Sequence, residues 1–231
     1  LSTSDIIKIN ITKKLVHSNH FNTKWVMNRY DLDVNLYEKN WNFEFKFPDK
    51  WEIGLIVGNS GSGKSLIARH LFETVYQDQV ISNVDIPLVE AMGIHDMKDI
   101  INALTHVGMG STPEWITPYK YLSTGQKMRA DLAFCLLNDK EKIVFDEFTS
   151  VVDRQVAKVI SHSISKAFRK KQKQFVAITC HHDVEEWLEP DWVLDMDLKE
   201  FRSSKKADRI YPSKFDLVKG RFGMFSKIFI I

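Results

Sequence analysis

The sequence predicts an α/β fold, a mainly parallel sheet flanked by helices, with an N-terminal antiparallel β region and a small inserted helical subdomain. The run WEIGLIVG at 51–58 is apolar throughout and ends in glycine, as a strand buried on both faces of a parallel sheet reads. From residue 124 onward, helix-like and strand-like segments alternate, which is the pattern of a parallel α/β sheet. Before residue 50, two stretches alternate apolar and polar side chains, as half-exposed strands do.

Residues 5–16 (DIIKINITKKLV) and 40–47 (NWNFEFKF) are those two entry strands. The helical stretch SLIARHLFETVY follows the buried strand. Between about 80 and 122, short helical patterns such as MKDIINALTHV are interrupted by Gly108, Gly110, Pro113 and Pro118. This region, extended to about 135, is expected to be the inserted helical subdomain. Then come a helix (TGQKMRADLAFCLL), a strand (KIVFDEF), a helix (DRQVAKVISHSISKAFRK), a strand (QFVAIT), a short helix (DVEEWL) and a strand (DWVLDM). From Ser203 the chain turns basic and irregular, with Lys205, Lys206, Arg209, Lys214, Lys219, Arg221 and Lys227. The expected division is therefore a domain over 1–202 and, over 203–231, a basic extension outside the main sheet or the start of a further domain.

A chain of 231 residues buries a substantial core as one domain with an inserted subdomain. Its 32 basic and 30 acidic residues give a formal charge of +2, which excludes a strong global attraction to nucleic acid or anionic lipid. Any such contact must be local. Cys135 and Cys180 are too few for a disulfide framework and fit a reducing, cytoplasmic setting. No apolar run approaches the roughly 18 residues that cross a bilayer, and the start LSTSDIIKIN lacks the order of a signal peptide. The chain is expected to be soluble. Its start at Leu1 and its apolar end fit a piece of a longer protein.

GNSGSGKS, from Gly58 to Ser65, satisfies the Walker A pattern G-x-x-x-x-G-K-[ST] between a strand and a helix, the context this phosphate loop requires. Gly58, Gly61 and Gly63 let backbone N–H groups curl around phosphate oxygens, and Asn59, Ser60 and Ser62 complete the curl. Lys64 is expected to reach the β and γ phosphates of a bound ATP, with the Ser65 hydroxyl on Mg²⁺. Asp146 and Glu147 end an apolar strand, at the edge where a parallel sheet presents ligand-facing groups. Asp146 suits Mg²⁺, a hard cation that takes oxygen ligands. Glu147 suits the general base that accepts a proton from the attacking water.

The segment YLSTGQKMRADLAFCLL resembles the signature motif of ABC ATPases, usually LSGGQ, here Leu122, Ser123, Thr124, Gly125 and Gln126 with Thr124 replacing the first glycine. Asp146 lies 23 residues after Ser123, close to the family spacing. Ser150-Val151-Val152-Asp153 looks like the family's D-loop, and equally like a helix start capped by Asp153. The resemblance also implies a switch histidine. His181, 34 residues after Glu147, fits the usual separation, whereas the common His-Asp pair would select His182. The Q-loop glutamine, which senses Mg²⁺ and the γ phosphate, is assigned to Gln79, with Gln77 as the alternative. These lie 15 and 13 residues after Lys64, so the intervening region is shorter than in a transporter subunit. Tyr30 or Tyr37 would stack on adenine.

The family resemblance implies Mg-dependent ATP hydrolysis by a head-to-tail homodimer, each ATP held between the phosphate loop of one copy and the Ser123 region of the other. It points to compact, soluble ABC ATPases of phage and bacterial genomes, some fused to acetyltransferase-like domains, rather than to a typical transporter subunit. Two alternatives stay open: the nucleotide-binding subunit of a membrane transporter, and a repair-type ATPase whose basic C-terminal extension meets nucleic acid.

Overall fold

The computed structural model describes residues 6–14, 18–32, 38–77, 80–93 and 95–203. The expectations for Gln79, Tyr37 and the basic stretch after Ser203 lie outside the described residues. β1 (Ile7–Lys14) and β2 (Glu38–Phe45) pair antiparallel, Ile7 opposite Phe45 and Lys14 opposite Glu38. Between them runs α1 (Phe21–Arg29), a helix with no buried residue that sequence reading did not anticipate. The main sheet follows the order β4-β5-β3-β6-β7. Its members are β3 (Ile53–Val57), β4 (Lys142–Phe145), β5 (Gln174–Thr179), β6 (Trp192–Asp195) and β7 (Glu200–Ser203). The first four run parallel; β7 pairs antiparallel with β6 and carries the sheet to Ser203, so the main sheet extends one residue into the stretch expected to lie outside it.

The strand sequences show why the sheet is two-sided. On β3, Ile53, Leu55 and Val57 face one hydrophobic cluster, shared with Phe175 and Ala177 of β5, while Ile56 joins the other with Val176 and Ile178. Helices α3 (Leu88–Ala91), α4 (Met97–His106), α6 (Thr124–Leu137), α7 (Arg154–Lys171) and α8 (Val184–Leu188) contribute to the first cluster. The short α5 (Thr112–Ile116) sits between α4 and α6 in sequence. The second cluster lies under α2 (Lys64–Leu71) and the inward residues Trp41, Phe43 and Phe45 of β2. Phe45 stacks on Phe201 with centroids 4.5 Å apart, and Phe47 lies 4.8 Å from Trp192, so aromatic rings fasten the entry hairpin to the sheet. Among the described residues no helix is long and apolar enough to cross a membrane.

One expected helix is shorter than its sequence pattern. SLIARHLFETVY ends as a helix at Leu71, and Phe72 turns extended. Tertiary pairing overrides local propensity there: Phe72 is buried near Phe47, and Tyr76 joins the sheet edge, its N–H donating to the Val144 carbonyl at 2.7 Å.

Gly54 is fixed by contact, since a Cβ there would lie 2.1 Å from Trp192 Cζ2. Gly54→Ala is expected to lower stability by about 1–3 kcal/mol, the usual cost of overpacking. A shift of the urea midpoint at unchanged slope would show it; no shift would mean that the indole yields freely.

Candidate active site

Each strand of the parallel sheet delivers its functional residues at its carboxyl end, which concentrates them on one edge. β3 leads into the phosphate loop, β4 into Asp146 and Glu147, β5 into His181, and β6 into Asp197. Gly58, Gly61 and Gly63 all have positive φ, at 151°, 76° and 101°. At Gly63 the need is double, because a Cβ would also fall 2.6 Å from the Trp41 indole. Trp41 Nε1 donates to the Ser62 carbonyl at 2.6 Å, so β2 braces the loop from outside. Asp197 braces it from the turn after β6, its carboxylate accepting the Asn59 N–H at 2.8 and 3.1 Å. Lys64 is buried and donates to the carbonyls of Gly58 and Asn59 at 2.8 and 2.9 Å.

A cavity of about 540 Å³ opens over this loop, lined by Ser60, Gly61, Gly63, Lys64, Ser65 and also Glu147. The start of α2 at Lys64 adds the positive end of a helix to the lysine's charge. Lys13, Lys14 and Lys39 from the entry hairpin, with Glu38 and Trp41, complete the wall. These hairpin residues escaped sequence reading. Alternation along 40–47 marked a half-exposed strand, but nothing local marked the loop that Trp41 meets. Tyr30 is exposed at the end of α1 and does not line this cavity.

Asp146 is buried; one oxygen accepts the Glu147 N–H at 2.9 Å, while Oδ2 has no hydrogen-bond partner among the described residues. A buried carboxylate oxygen left open is the donor a hard cation requires, and Ser65, in the first turn of α2, offers a hydroxyl oxygen of the same kind. These residues fit Mg²⁺. Glu147 holds a left-handed backbone, φ 52°, and its Oε2 accepts the Ser150 hydroxyl at 2.6 Å. A positive φ at a bulky residue is strained, and such strain clusters at functional sites.

His181 is half-buried, with its N–H on Thr179 Oγ1 at 3.2 Å. Burial, then the nearby Arg154 charge, push its pKa below the ordinary value of 6.5, against upward pulls from Asp183 and Glu147. His182 faces elsewhere, 3.5 Å from Asp197. Arg154 is tied to Asp183, Nε to Oδ2 at 3.0 Å. The lowered pKa favours the neutral imidazole at neutral pH. Arg154→Gln removes a lowering influence and frees Asp183 to raise the pKa, so any acid limb set by His181 should move to higher pH. A pH profile of kcat/KM checks this; a limb that stays put or moves down refutes it.

Ser123 caps α6 in a capping box: Gln126 N–H donates to Ser123 Oγ at 3.3 Å, and Ser123 N–H donates to Gln126 Oε1 at 2.9 Å. A Cβ on Gly125 would meet the Val151 carbonyl at 3.2 Å, so the signature turn lies against the Val151-Val152 stretch. Asp153 caps α7, accepting from Gln155 and Val156 N–H at 3.0 and 2.9 Å, the arrangement of a helix start. Ser123 is not among the residues lining the phosphate-loop cavity. Gln77 is held by Arg69, at 2.7 Å.

No protein-family model matches the chain. It is 37% identical over 101 residues to the energy-coupling factor transporter ATP-binding protein EcfA1 of Mycoplasma mobile, a match covering 43% of this chain and 35% of that protein. The EcfA1 of Mycoplasma capricolum subsp. capricolum is 27% identical over 237 residues, covering 79% of this chain and 57% of its own. The chain thus spans between about a third and somewhat over half of these relatives. Among solved structures, the dimeric structure of MJ0796, a bacterial ABC transporter cassette, superimposes with a TM-score of 0.56 at 15% identity, over 83% of this chain and 94% of that one. At that identity the likeness establishes the fold. In fold, ordered motifs and relatives the chain is similar to ABC-type nucleotide-binding domains.

Proposed function

We propose that this domain binds ATP with Mg²⁺ and hydrolyses it as a head-to-tail dimer. The observation that supports the reading is the cavity lined by both the phosphate loop and Glu147 but not by Ser123. The phosphate loop and Lys64 hold the β and γ phosphates, and Lys64 leaves its loop carbonyls to do so. Ser65 and Asp146 hold Mg²⁺, which neutralises phosphate charge when bound. Glu147 accepts the proton of the attacking water, and Ser150 orients the carboxylate. His181, neutral and beside Glu147 in the field of Arg154, donates to the γ phosphate. The other half of each site is Ser123, with Gly125 and Gln126, of a second copy. The test is ATP turnover and mass in solution measured together across protein concentration. Turnover per chain should rise as the ATP-bound dimer forms; no turnover at any concentration would sink the reading.

The work that hydrolysis drives has two readings. The transporter relatives favour a nucleotide-binding subunit that docks on a membrane component in the cytoplasm. The short connection from α2 to the helical region favours an ATPase acting outside transport. Co-purification from membranes with a stoichiometric integral membrane protein supports the first; a chain that partitions to the soluble fraction alone supports the second.

A further inference from the structure

The inward face of the entry hairpin changes character at its far end. Residues two apart on a strand share a face, so Ile9 and Ile11 of β1 and Trp41, Phe43 and Phe45 of β2 form the face that packs on the core. The next positions on that face are Lys13 and Lys39, and the register sets them directly opposite each other. Like charges directly opposite destabilise an antiparallel pair. The other charged pairs of the hairpin avoid this: Lys8 meets Glu44 at 3.4 Å and Lys14 meets Glu38 at 3.0 Å. Among the described residues no acidic side chain pairs with Lys13 or Lys39.

Both unpaired lysines line the cavity over the phosphate loop. Lys39 Nζ donates to the Gly61 carbonyl at 3.3 Å, while Lys64 Nζ donates to the carbonyls of Gly58 and Asn59. The loop thus meets one ammonium group from α2 at its start and a second from β2 at its crest. Where a Cβ would stand on Gly61 there is open space, so that crest is accessible to a ligand. Four lysines and two glutamates line the cavity, and Glu38 is already paired with Lys14, which leaves excess positive charge facing the space above the loop. We propose that Lys13 and Lys39 form a second cationic clamp that grips the polyphosphate of the nucleotide from the hairpin side and sets the site's preference for a triphosphate over shorter phosphate chains. The clamp rests on the ATP-binding reading given above. Neither lysine takes part in bond breaking; they hold the anion, and the anion relieves their mutual repulsion.

The experiment compares full-length wild type, the double variant Lys13→Gln/Lys39→Gln and a control of equal charge, Lys8→Gln/Lys46→Gln, whose lysines are exposed and paired with Glu44 and Asp49. Equilibrium binding of ATP, ADP and inorganic tripolyphosphate is measured with Mg²⁺ at two salt concentrations. The double variant should lose about tenfold in affinity for ATP and for tripolyphosphate, the size of a lost charge-assisted contact, and less for ADP. The loss should shrink at high salt, which screens exposed charges. Without ligand the double variant should melt no lower than the wild type, since a repulsive pair is gone, and the control should bind as the wild type does. Wild-type affinity in the double variant, an equal loss in the control, or a loss for ATP with tripolyphosphate binding intact overturns the proposal. If the double variant folds poorly, Lys13→Gln alone decides, with about a threefold loss expected for both ligands. A wild type that binds tripolyphosphate through these lysines but no nucleotide would refute the ATP reading and leave the clamp standing; one that binds neither refutes both.

Discussion

Glu147→Gln is expected to bind ATP like the wild type, lose about 10²–10⁴-fold in turnover, the usual contribution of a general base, and accumulate as an ATP-bound dimer. The amide is nearly the carboxylate's shape, so the local structure should survive. Its oxygen still accepts the Ser150 hydroxyl that now lies 2.6 Å from Oε2, and the 147 N–H still donates to Asp146. What disappears is a basic lone pair in the cavity that the phosphate loop also lines. The phosphate loop and Mg²⁺ residues are untouched, so affinity should hold while the chemical step stalls. Single-turnover kinetics, equilibrium ATP binding and light scattering check the three parts. A variant that turns over at the wild-type rate removes Glu147 from the chemistry, and one that stalls without forming a dimer removes the sandwich.

Most of the parallel sheet was legible because its strands are short apolar runs between helix-period segments, and burial on both faces leaves that pattern little alternative. Gly54, Gly58 and Gly63 show the limit of that reading. The context of Gly58 and Gly63 announced a phosphate loop and that of Gly54 a buried strand, but the reason for glycine at 54 and 63 is an indole from elsewhere, Trp192 and Trp41 respectively. The early end of α2 has the same origin: the FETVY stretch fits a helix locally, and only the edge of β4, far away in sequence, explains why Tyr76 is extended. β7 and α1 were missed because a four-residue edge strand and a helix with no buried residue bury too little to impose a pattern. In the site, the motif residues were legible since local chain geometry creates the phosphate loop. Their braces, Asp197 on Asn59 and Lys39 on the Gly61 carbonyl at 3.3 Å, were not, because each arrives from another element. Of the two histidines, spacing favoured His181 and the His-Asp pair His182. In the fold His181 shares a field with Glu147 and Arg154, whereas His182 turns toward Asp195 and Asp197.

The strongest consequence of a composite site is complementation between two inactive chains. Lys64→Ala removes the buried ammonium from the phosphate loop and should abolish turnover as a homodimer. Ser123→Asp should do the same from the other side. Aspartate is as good an N-cap as serine, so the start of α6 survives, while its charge repels a γ phosphate. In a mixed dimer both lesions fall on one ATP site, and the other site combines an intact loop with an intact Ser123. Random pairing across a two-fold interface then gives about a quarter of the wild-type sites in an equimolar mixture. Activity that appears only on mixing, and scales with the product of the two concentrations, is the expected result. If Ser123→Asp is active alone, Ser123 is a helix cap and nothing more. If each chain is inactive and the mixture is too, each ATP site is completed within one chain or the two sites fire only as a pair, and Lys64→Ala mixed with wild type separates these: half activity per chain indicates the former, a steeper loss the latter.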